Sequence, residues 1–329
     1  MIPRRLLLLY PALLAAPFSA RASNYPNMPI NIVTPLASGD AADTAARLMS
    51  HEMSKSLGVP MTVVNRPGAG GSIGTQSVIR APKDGYNILF AQNSPLTIRR
   101  LIDPANASYD PTKDLIPIGL TTRSPSILVV RGDGKFKNMQ ELLGLARQNP
   151  NTLRIGNAGP GSVGDISVQL LSELTGTEIT SVNYKGAAPA VTDLIGGHID
   201  AIILALGAVS SHIKSGVLKG LAISSKFPEF SDVPTLGELG YKSEIQGVWF
   251  GFFMPAGTPT EITALVAKAL EKSVKEPAIA ARLQPMGIVQ EWSDGAALTK
   301  EINKEYLQVK ALLEKTKARL DKPGSHPSL

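Results

Sequence analysis

The glycine-rich stretch NAGPGSVGD, residues 157–165, is the first place where residue types and spacing point to chemistry. It follows an apolar run typical of a strand (TLRIG) and precedes one typical of a helix (ISVQLLSEL). Gly159, Gly161 and Gly164 have the spacing G-x-G-x-x-G, in which glycines permit a tight turn and amides at a helix N-terminus hold a pyrophosphate. The stretch therefore predicts a site for an anion.

A dinucleotide is not the anion that the sequence favours. Such a site needs an acidic residue about 20 positions on, at the end of the following strand, to hold the ribose. Glu178 lies near that distance but begins the run ITSVNY, and Pro160 is awkward inside the tight turn. We therefore expect no cofactor, and a helix N-terminus that attracts some other anion.

A second stretch, GGSIG at residues 70–74, matches the nucleophile elbow G-x-S-x-G, with Ser72 at its centre. The elbow places its serine on a sharp turn directly after a strand, whereas NRPGA separates Ser72 from the run MTVVN. His198, His212 and His326 follow, so a secreted serine hydrolase stays open as an alternative. In the other interpretation Ser72 only caps the next helix. We expect no catalytic residue.

Composition excludes several further classes. The chain has no cysteine, hence no disulfide framework, no thiolate metal site and no cysteine nucleophile. Charges alternate in sign, as in KEINKEYLQVKALLEK, and aromatic residues do not interleave with basic ones, which argues against nucleic-acid binding. We expect no metal site either.

The N-terminus has the pattern of a secretory signal peptide, residues 1–22. Arg4 and Arg5 precede a short apolar stretch, and Ala20-Arg21-Ala22 forms an A-x-A cleavage site. Its removal lowers the formal net charge from +6 to +3. The sequence predicts a periplasmic protein, exported by the general secretory or the twin-arginine route. A mature chain of about 307 residues favours two domains.

From Pro29 onward, short apolar runs alternate with helical patterns. This alternation predicts an α/β fold with parallel or mixed sheets covered by helices. Residues 295–315 carry apolar side chains at helical spacing, typical of an amphipathic helix.

Four stretches carry a resemblance to a known family: NRPGAGGSIGTQSVIRAPKDGYNIL, VNYKGAAPAVTDLIGGHID, SDVPTLGELGY and WFGFFMPAGTP. Together they resemble the solute receptors of the tripartite tricarboxylate transporter family, often called Bug-type receptors. The resemblance covers essentially the whole mature chain. It implies a non-enzymatic, two-lobed periplasmic binding protein of type II-like fold, with mixed sheets flanked by helices and a ligand cleft between the lobes. Lobe one would comprise residues 24–123 plus 248–329, and lobe two residues 124–247.

The resemblance also implies which residues bind the ligand. The loop NAGPGSVGD would hold a carboxylate through backbone amides and small hydroxyls, and the loop PLASGD would contact the other end of the ligand. Further residues after the strand NILFA, in the YKG turn and in the strand AIILAL would line the rest of the cleft. The expected ligand-binding residues are Leu36, Ala37, Ser38, Gly39, Asp40, Asn93, Ser94, Gly159, Gly161, Ser162, Val163, Asp165, Tyr184, Lys185, Leu204 and Ala205.

Four of these residues depart from the family pattern. Leu36 replaces an aromatic residue, Asp40 a glycine, Asp165 a histidine, and Leu204 a polar or acidic residue. Two added carboxylates oppose a highly charged ligand, at a cost of the order of 1 kcal/mol for each nearby like charge. We therefore hypothesise a monocarboxylate with an apolar body, or a zwitterion whose amine meets Asp40 or Asp165. Alternatively, both aspartates cap helices.

The resemblance implies a monomer that delivers its ligand to membrane permease subunits. A receptor that presents the bound ligand to a membrane signalling partner is the alternative, and the sequence does not separate the two.

Overall fold

The structure, a computed structural model, describes residues 25–36, 38, 41–242 and 247–320, with no side chain described at 41 or 317–320. The proposed signal peptide, residues 1–22, lies outside the described residues. Strands and helices alternate along the chain and form two mixed sheets flanked by helices, which confirms the predicted fold class.

The first sheet has the strand order β2-β1-β3-β10-β4-β11 in the described part of the chain. Strand β1 pairs in parallel with β2 and β3, whereas β10 runs antiparallel to β3 and β4, and β11 antiparallel to β4. The strands are β1 (Ile30–Thr34), β2 (Met61–Asn65), β3 (Asn87–Gln92), β4 (Leu115–Ser124), β10 (Val248–Pro255) and β11 (Val289–Asp294). The helices that accompany this sheet are α1 (Ala41–Leu57), α2 (Ser72–Ile79), α3 (Asn93–Leu96), α4 (Arg99–Ile102), α5 (Pro111–Asp114), α10 (Thr260–Val274), α11 (Pro277–Leu283) and α12 (Gly295–Leu320).

The second sheet has the order β7-β6-β8-β5-β9 in the same described part. Strand β6 is parallel to β7 and β8, and β5 is antiparallel to β8 and β9. The strands are β5 (Ser126–Arg131), β6 (Arg154–Asn157), β7 (Thr180–Asn183), β8 (Ala201–Ala205) and β9 (Leu218–Ile223). The helices are α6 (Met139–Gln148), α7 (Val163–Thr175), α8 (Ala187–Ile195) and α9 (Ser210–Lys214).

The chain passes between the sheets at a proline. Strand β4 ends at Ser124 in the first sheet and β5 begins at Ser126 in the second, so that Pro125 stands between them. Proline has no N–H to donate to a strand ladder, and the two ladders separate at this residue. The return lies between β9 and β10. This division supports the proposed lobes, 24–123 with 248–329 and 124–247, whose limits stay a prediction.

Packing links the two lobes beside the crossover. Val163 and Ile166 of α7 are buried in the same apolar cluster as Phe250 and Phe252 of β10 and Val309 of α12. Helix α12 therefore contacts both the first sheet and α7 of the second lobe.

Among the described residues, no helix is both long and apolar enough to cross a membrane.

Candidate functional site

A cavity of about 610 Å³ lies between the lobes. Residues just beyond the carboxyl ends of strands line it, where α/β sheets usually bind their ligands. None of the described lining residues is charged. They are Ala42, Gln92, Ser124, Ser126, Ala158, Ser162, Val163, Gly164, Ala187, Ile203, Leu204, Ala205, Gly207, Ala208, Ser210, Ser211, Val248, Phe250, Pro285, Met286 and Ile288.

The loop between β6 and α7 is closed by its own side chains. The Asn157 carboxamide accepts the N–H of Gly159 at 2.8 Å, and the Asp165 carboxylate accepts the N–H of Gly161 at 3.0 Å. Ser162 is the N-cap of α7, because its hydroxyl accepts the N–H of Asp165 at 3.1 Å. These reciprocal bonds resemble a capping box, and they begin the helix at Val163, earlier than the apolar run ISVQLLSEL suggests.

The glycines fit this geometry for different reasons. Gly161 has a φ of 69°, a left-handed conformation that favours glycine. A Cβ added at Gly164 would lie 2.3 Å from the carbonyl oxygen of Ile203, so the helix approaches strand β8 closely. The G-x-G-x-x-G spacing is therefore explained by the turn and the packing, without a dinucleotide.

Two main-chain donors remain at the start of α7. The N–H groups of Val163 and Gly164 have no hydrogen-bond acceptor among the described residues, and both residues line the cavity. The first N–H groups of a helix have no partner within the helix, and its dipole adds partial positive charge there. The arrangement suits an anion, although through Val163 and Gly164 rather than through Gly159 and Gly161, whose amides are occupied.

Ser126 adds a third donor that sequence reasoning missed. Its side chain is buried, lines the cavity, and its hydroxyl has no hydrogen-bond partner among the described residues. Its main-chain N–H instead donates to the hydroxyl of Ser224 at 3.0 Å. An unsatisfied buried hydroxyl is costly, so a ligand atom is a natural partner for it. The residues around Pro125 form no sequence pattern that predicts this role for Ser126.

The other predicted loop is only partly described. Ala37, Gly39 and Asp40 lie outside the described residues, and Ser38 is exposed. Leu36 is partly buried against the core of the first lobe. Ala42, in the first turn of α1, does line the cavity.

The cavity wall includes both residues predicted on β8. Leu204 and Ala205 line it, next to Val248 and Phe250 of β10. Met286 reaches it from the segment between α11 and β11, and no sequence pattern pointed there.

The remaining predicted residues do not line the cavity in the structure. Ser94 donates from its hydroxyl to the carbonyl of Gly161 at 2.7 Å. The hydroxyl of Tyr184 donates to Asp193 at 2.7 Å, and burial together with this carboxylate raises the pKa of Tyr184 to about 12. Lys185 is exposed.

Asn93 belongs to a buried polar cluster next to the cavity residue Gln92. The carboxylate of Glu305 accepts from Asn93 Nδ2 at 2.8 Å, from Trp249 Nε1 at 2.6 Å and from Thr97 Oγ1 at 3.2 Å. Burial raises the pKa of Glu305 to about 7, against the opposing effect of these hydrogen bonds.

Ser72 is poorly placed for catalysis. The residue is 1% exposed, and it does not line the cavity. The expectation that it caps a helix is wrong, because Gly71 is the N-cap of α2 and makes no side-chain capping bond. Its possible partners His198 and His212 belong to the second lobe, and His326 lies outside the described residues.

Comparison with known proteins agrees with this architecture. A UPF0065 protein of Agrobacterium vitis is 36% identical over 295 residues, which cover 88% of this chain and 85% of the relative. The solved structure of an R. palustris protein with adipate has a TM-score of 0.80 at 28% identity, covering 88% of this chain and 98% of that one. MatC from Rhodopseudomonas palustris with bound malate has a TM-score of 0.76 at 28% identity, covering 88% and 100%.

The sequence model of the family described as "Tripartite tricarboxylate transporter family receptor" matches residues 45–317. This match covers most of the chain, including ten of the eleven described strands, and it confirms the resemblance in the four stretches. The chain therefore belongs to the family of tripartite tricarboxylate transporter receptors.

Proposed function

We propose that the protein is an exported receptor that binds a small carboxylate in the cavity between its lobes. The observation that carries the proposal is the pair of unpaired N–H groups of Val163 and Gly164 at the start of α7. A carboxylate has two oxygens that accept such donors, and the hydroxyl of Ser126 supplies a third. Charge-assisted hydrogen bonds of this kind are about twice as strong as neutral ones.

The absence of a cation among the described lining residues bears on the number of charges in the ligand. One carboxylate finds donors at α7, whereas a second one would lack a described charged partner in the cavity. Apolar side chains form much of the remaining wall: Ile203, Leu204, Val248, Phe250, Met286 and Ile288. We propose a monocarboxylate with an apolar body.

The zwitterion alternative now depends on Asp40. Asp165 is engaged with the N–H of Gly161 and the hydroxyl of Ser181, and it does not line the cavity. Its position favours the helix-capping alternative. An amine-bearing ligand would need Asp40, which lies outside the described residues.

The relatives support a carboxylate in general terms, since one was solved with adipate and another with malate. Family membership supports a periplasmic location and delivery of the ligand to membrane permease subunits. The A-x-A pattern supports cleavage near Ala22. We propose that the receptor acts as a monomer.

The test is to identify what the purified mature protein carries and what it binds. Mass spectrometry of the denatured protein would reveal small molecules released from the cavity. Refolded, ligand-free protein would then be titrated calorimetrically with a monocarboxylate series (butyrate, hexanoate, benzoate) and with adipate and malate. We expect micromolar binding of a longer or aromatic monocarboxylate, with the ligand recovered unchanged.

Two results would contradict the proposal. One is a carboxylate panel that neither binds nor raises the melting temperature. The other is tighter binding of malate than of every monocarboxylate, which would contradict the proposed ligand class while keeping the anion site.

A further inference from the structure

A short segment of the first lobe reaches across and holds the anion loop of the second lobe. Ser94, in α3, donates a hydrogen bond of 2.7 Å to the carbonyl of Gly161. Arg99, in α4, donates from Nη1 to the carbonyl of Pro160 at 3.2 Å. The loop therefore turns two carbonyls toward the first lobe, while its following residues, Val163 and Gly164, line the cavity.

The contact between the lobes is close as well as polar. A Cβ added at Gly161 would lie 2.2 Å from Cδ1 of Ile102 and 3.2 Å from Cδ of Arg99. Ser94 is buried, and the side chain of Arg99 is only 12% exposed. The hydrogen bond of Ser94 is buried, and the exclusion of water strengthens it. The hydrogen bond of Arg99 to Pro160 is exposed.

Other residues of the first lobe hold the side chain of Arg99 in place. Arg99 forms an ion pair with Asp103, and it lies over Gly70, where a Cβ would come within 2.7 Å of its Cδ. Gly70 has a φ of 62°, so this position requires glycine for conformation as well as for space. Gly70 in the stretch NRPGAGG, which carried the family resemblance, therefore packs against the side chain of Arg99.

Ser94 is fixed through its neighbour. The side-chain amide of Asn93 donates to Glu305 at 2.8 Å and to the carbonyl of Gly247 at 3.1 Å. Gly247 immediately precedes β10, the strand by which the chain returns to the first sheet. Helix α3 is therefore tied to the start of β10, where the chain returns from the second lobe, and to α12, which contacts both lobes.

We propose that Ser94 and Arg99 are positioning residues that hold the lobes together in the ligand-free protein. They do not line the cavity; their two hydrogen bonds to the anion loop bias the protein toward the closed arrangement before any ligand arrives. Any effect of these two hydrogen bonds on carboxylate affinity rests on the proposed function. Their effect on the balance between closed and open protein does not.

The test measures lobe separation directly, without ligand. Because the chain has no native cysteine, spin labels can be attached at Gln148→Cys in α6 and Lys268→Cys in α10, both exposed positions in different lobes. Double electron–electron resonance on refolded, ligand-free protein gives the populations of short and long separations. We expect a predominantly short distance in the parent protein.

Ser94→Ala should shift the ratio of closed to open protein by roughly two- to tenfold, as expected for the loss of one buried hydrogen bond. Arg99→Met should shift the ratio in the same direction by a smaller factor, because its bond to Pro160 is exposed. Arg99→Lys keeps a donor for Pro160 and should shift the ratio less. Ser273→Ala is the matched control, because it removes a buried hydroxyl that bonds a carbonyl within α10 at 2.9 Å. Circular dichroism would check that each variant is folded.

Two outcomes overturn the proposal. One is a parent protein that shows only the long distance without ligand. The other is folded Ser94→Ala and Arg99→Met variants whose distance distributions equal that of Ser273→Ala. Neither depends on which carboxylate binds, so failure here is distinguishable from failure of the proposed function.

Discussion

The indole N–H of Trp249 donates a hydrogen bond of 2.6 Å to Oε2 of Glu305. Trp249 lies in the return strand β10 and Glu305 in the long helix α12. Both side chains are buried, and no described salt bridge involves this carboxylate. A carboxyl group buried without a cation is expected to keep its proton to unusually high pH. The free energy of unfolding should therefore depend on pH.

The free energy of unfolding should vary with pH because of the protonation of Glu305. Its pKa is raised from 4.5 to about 7 by burial, so the folded state binds the proton more tightly than the unfolded state. The associated stability is fully present below about pH 4.5 and is lost as the pH rises through about 7. By linkage, this amounts to about 3 kcal/mol.

Urea denaturation at pH 5 and pH 8 measures this difference. Glu305→Gln should remove most of this contribution, because glutamine does not titrate. Glu301→Gln, one turn earlier in α12 and paired with Arg123, is the control and should retain most of it, because the charge of Glu301 is the smallest of the causes that shift the pKa of Glu305. An unchanged pH dependence in Glu305→Gln would assign the effect to other groups.

The anion site can be probed by removing a single N–H. Val163→Pro deletes the first donor of α7 at the helix position that tolerates proline best. The preceding residue, Ser162, has a ψ of 159°, which suits a residue before proline. We expect carboxylate affinity to fall by about tenfold or more, measured by calorimetry with the tightest monocarboxylate of the panel.

Val163→Ala is the control for that substitution, because it removes the side chain and keeps the N–H. If alanine weakens binding as much as proline, the side chain of Val163, and not its amide, contributes the affinity.

Ser126→Ala should separate binding from stability. Its hydroxyl has no partner among the described residues, so its loss should leave the melting temperature unchanged or slightly higher. Carboxylate affinity should fall by about five- to tenfold. Ser124→Ala removes a hydroxyl that donates to Gly287 at 2.9 Å and should cost about 1 kcal/mol of stability. A less stable Ser126→Ala with full affinity would contradict the assignment.

Asp165→Asn should change the ligand charge that the receptor prefers and should destabilise the loop before α7. The carboxylate accepts from Gly161 and Ser181, so the amide, with one acceptor oxygen, should lower the melting temperature. Removing a negative charge close to the anion site should favour ligands with two charges. We expect the ratio of adipate to monocarboxylate affinity to rise by about fivefold; an unchanged ratio would mean that Asp165 is screened from the cavity.

Sequence reasoning reached the fold and part of the site for identifiable reasons. Continuous apolar runs and helical patterns predicted the elements, and the glycine spacing located the turn before α7. The pattern could not show that the side chains of Asn157 and Asp165 turn back and occupy the amides of Gly159 and Gly161. That outcome depends on side-chain conformation rather than residue type.

Other residues of the site could not be predicted from local sequence patterns. Ser126 and Met286 are distant in sequence and line the same cavity only because the two lobes come together. Ser94 was expected at the ligand, yet its hydroxyl bonds the opposite lobe, a contact that depends on how the lobes approach.

A binding site built from the amides of Val163 and Gly164 has an evolutionary consequence. Every residue except proline carries a main-chain N–H, so a substitution of Val163 by any other residue keeps the chemical group that would bind the ligand, and close packing on β8 keeps glycine at position 164. Selectivity can then drift through changes at wall positions such as Leu204 and Phe250 while the anchor persists unaltered. The identity of the ligand should therefore be sought in the wall residues rather than in the loop.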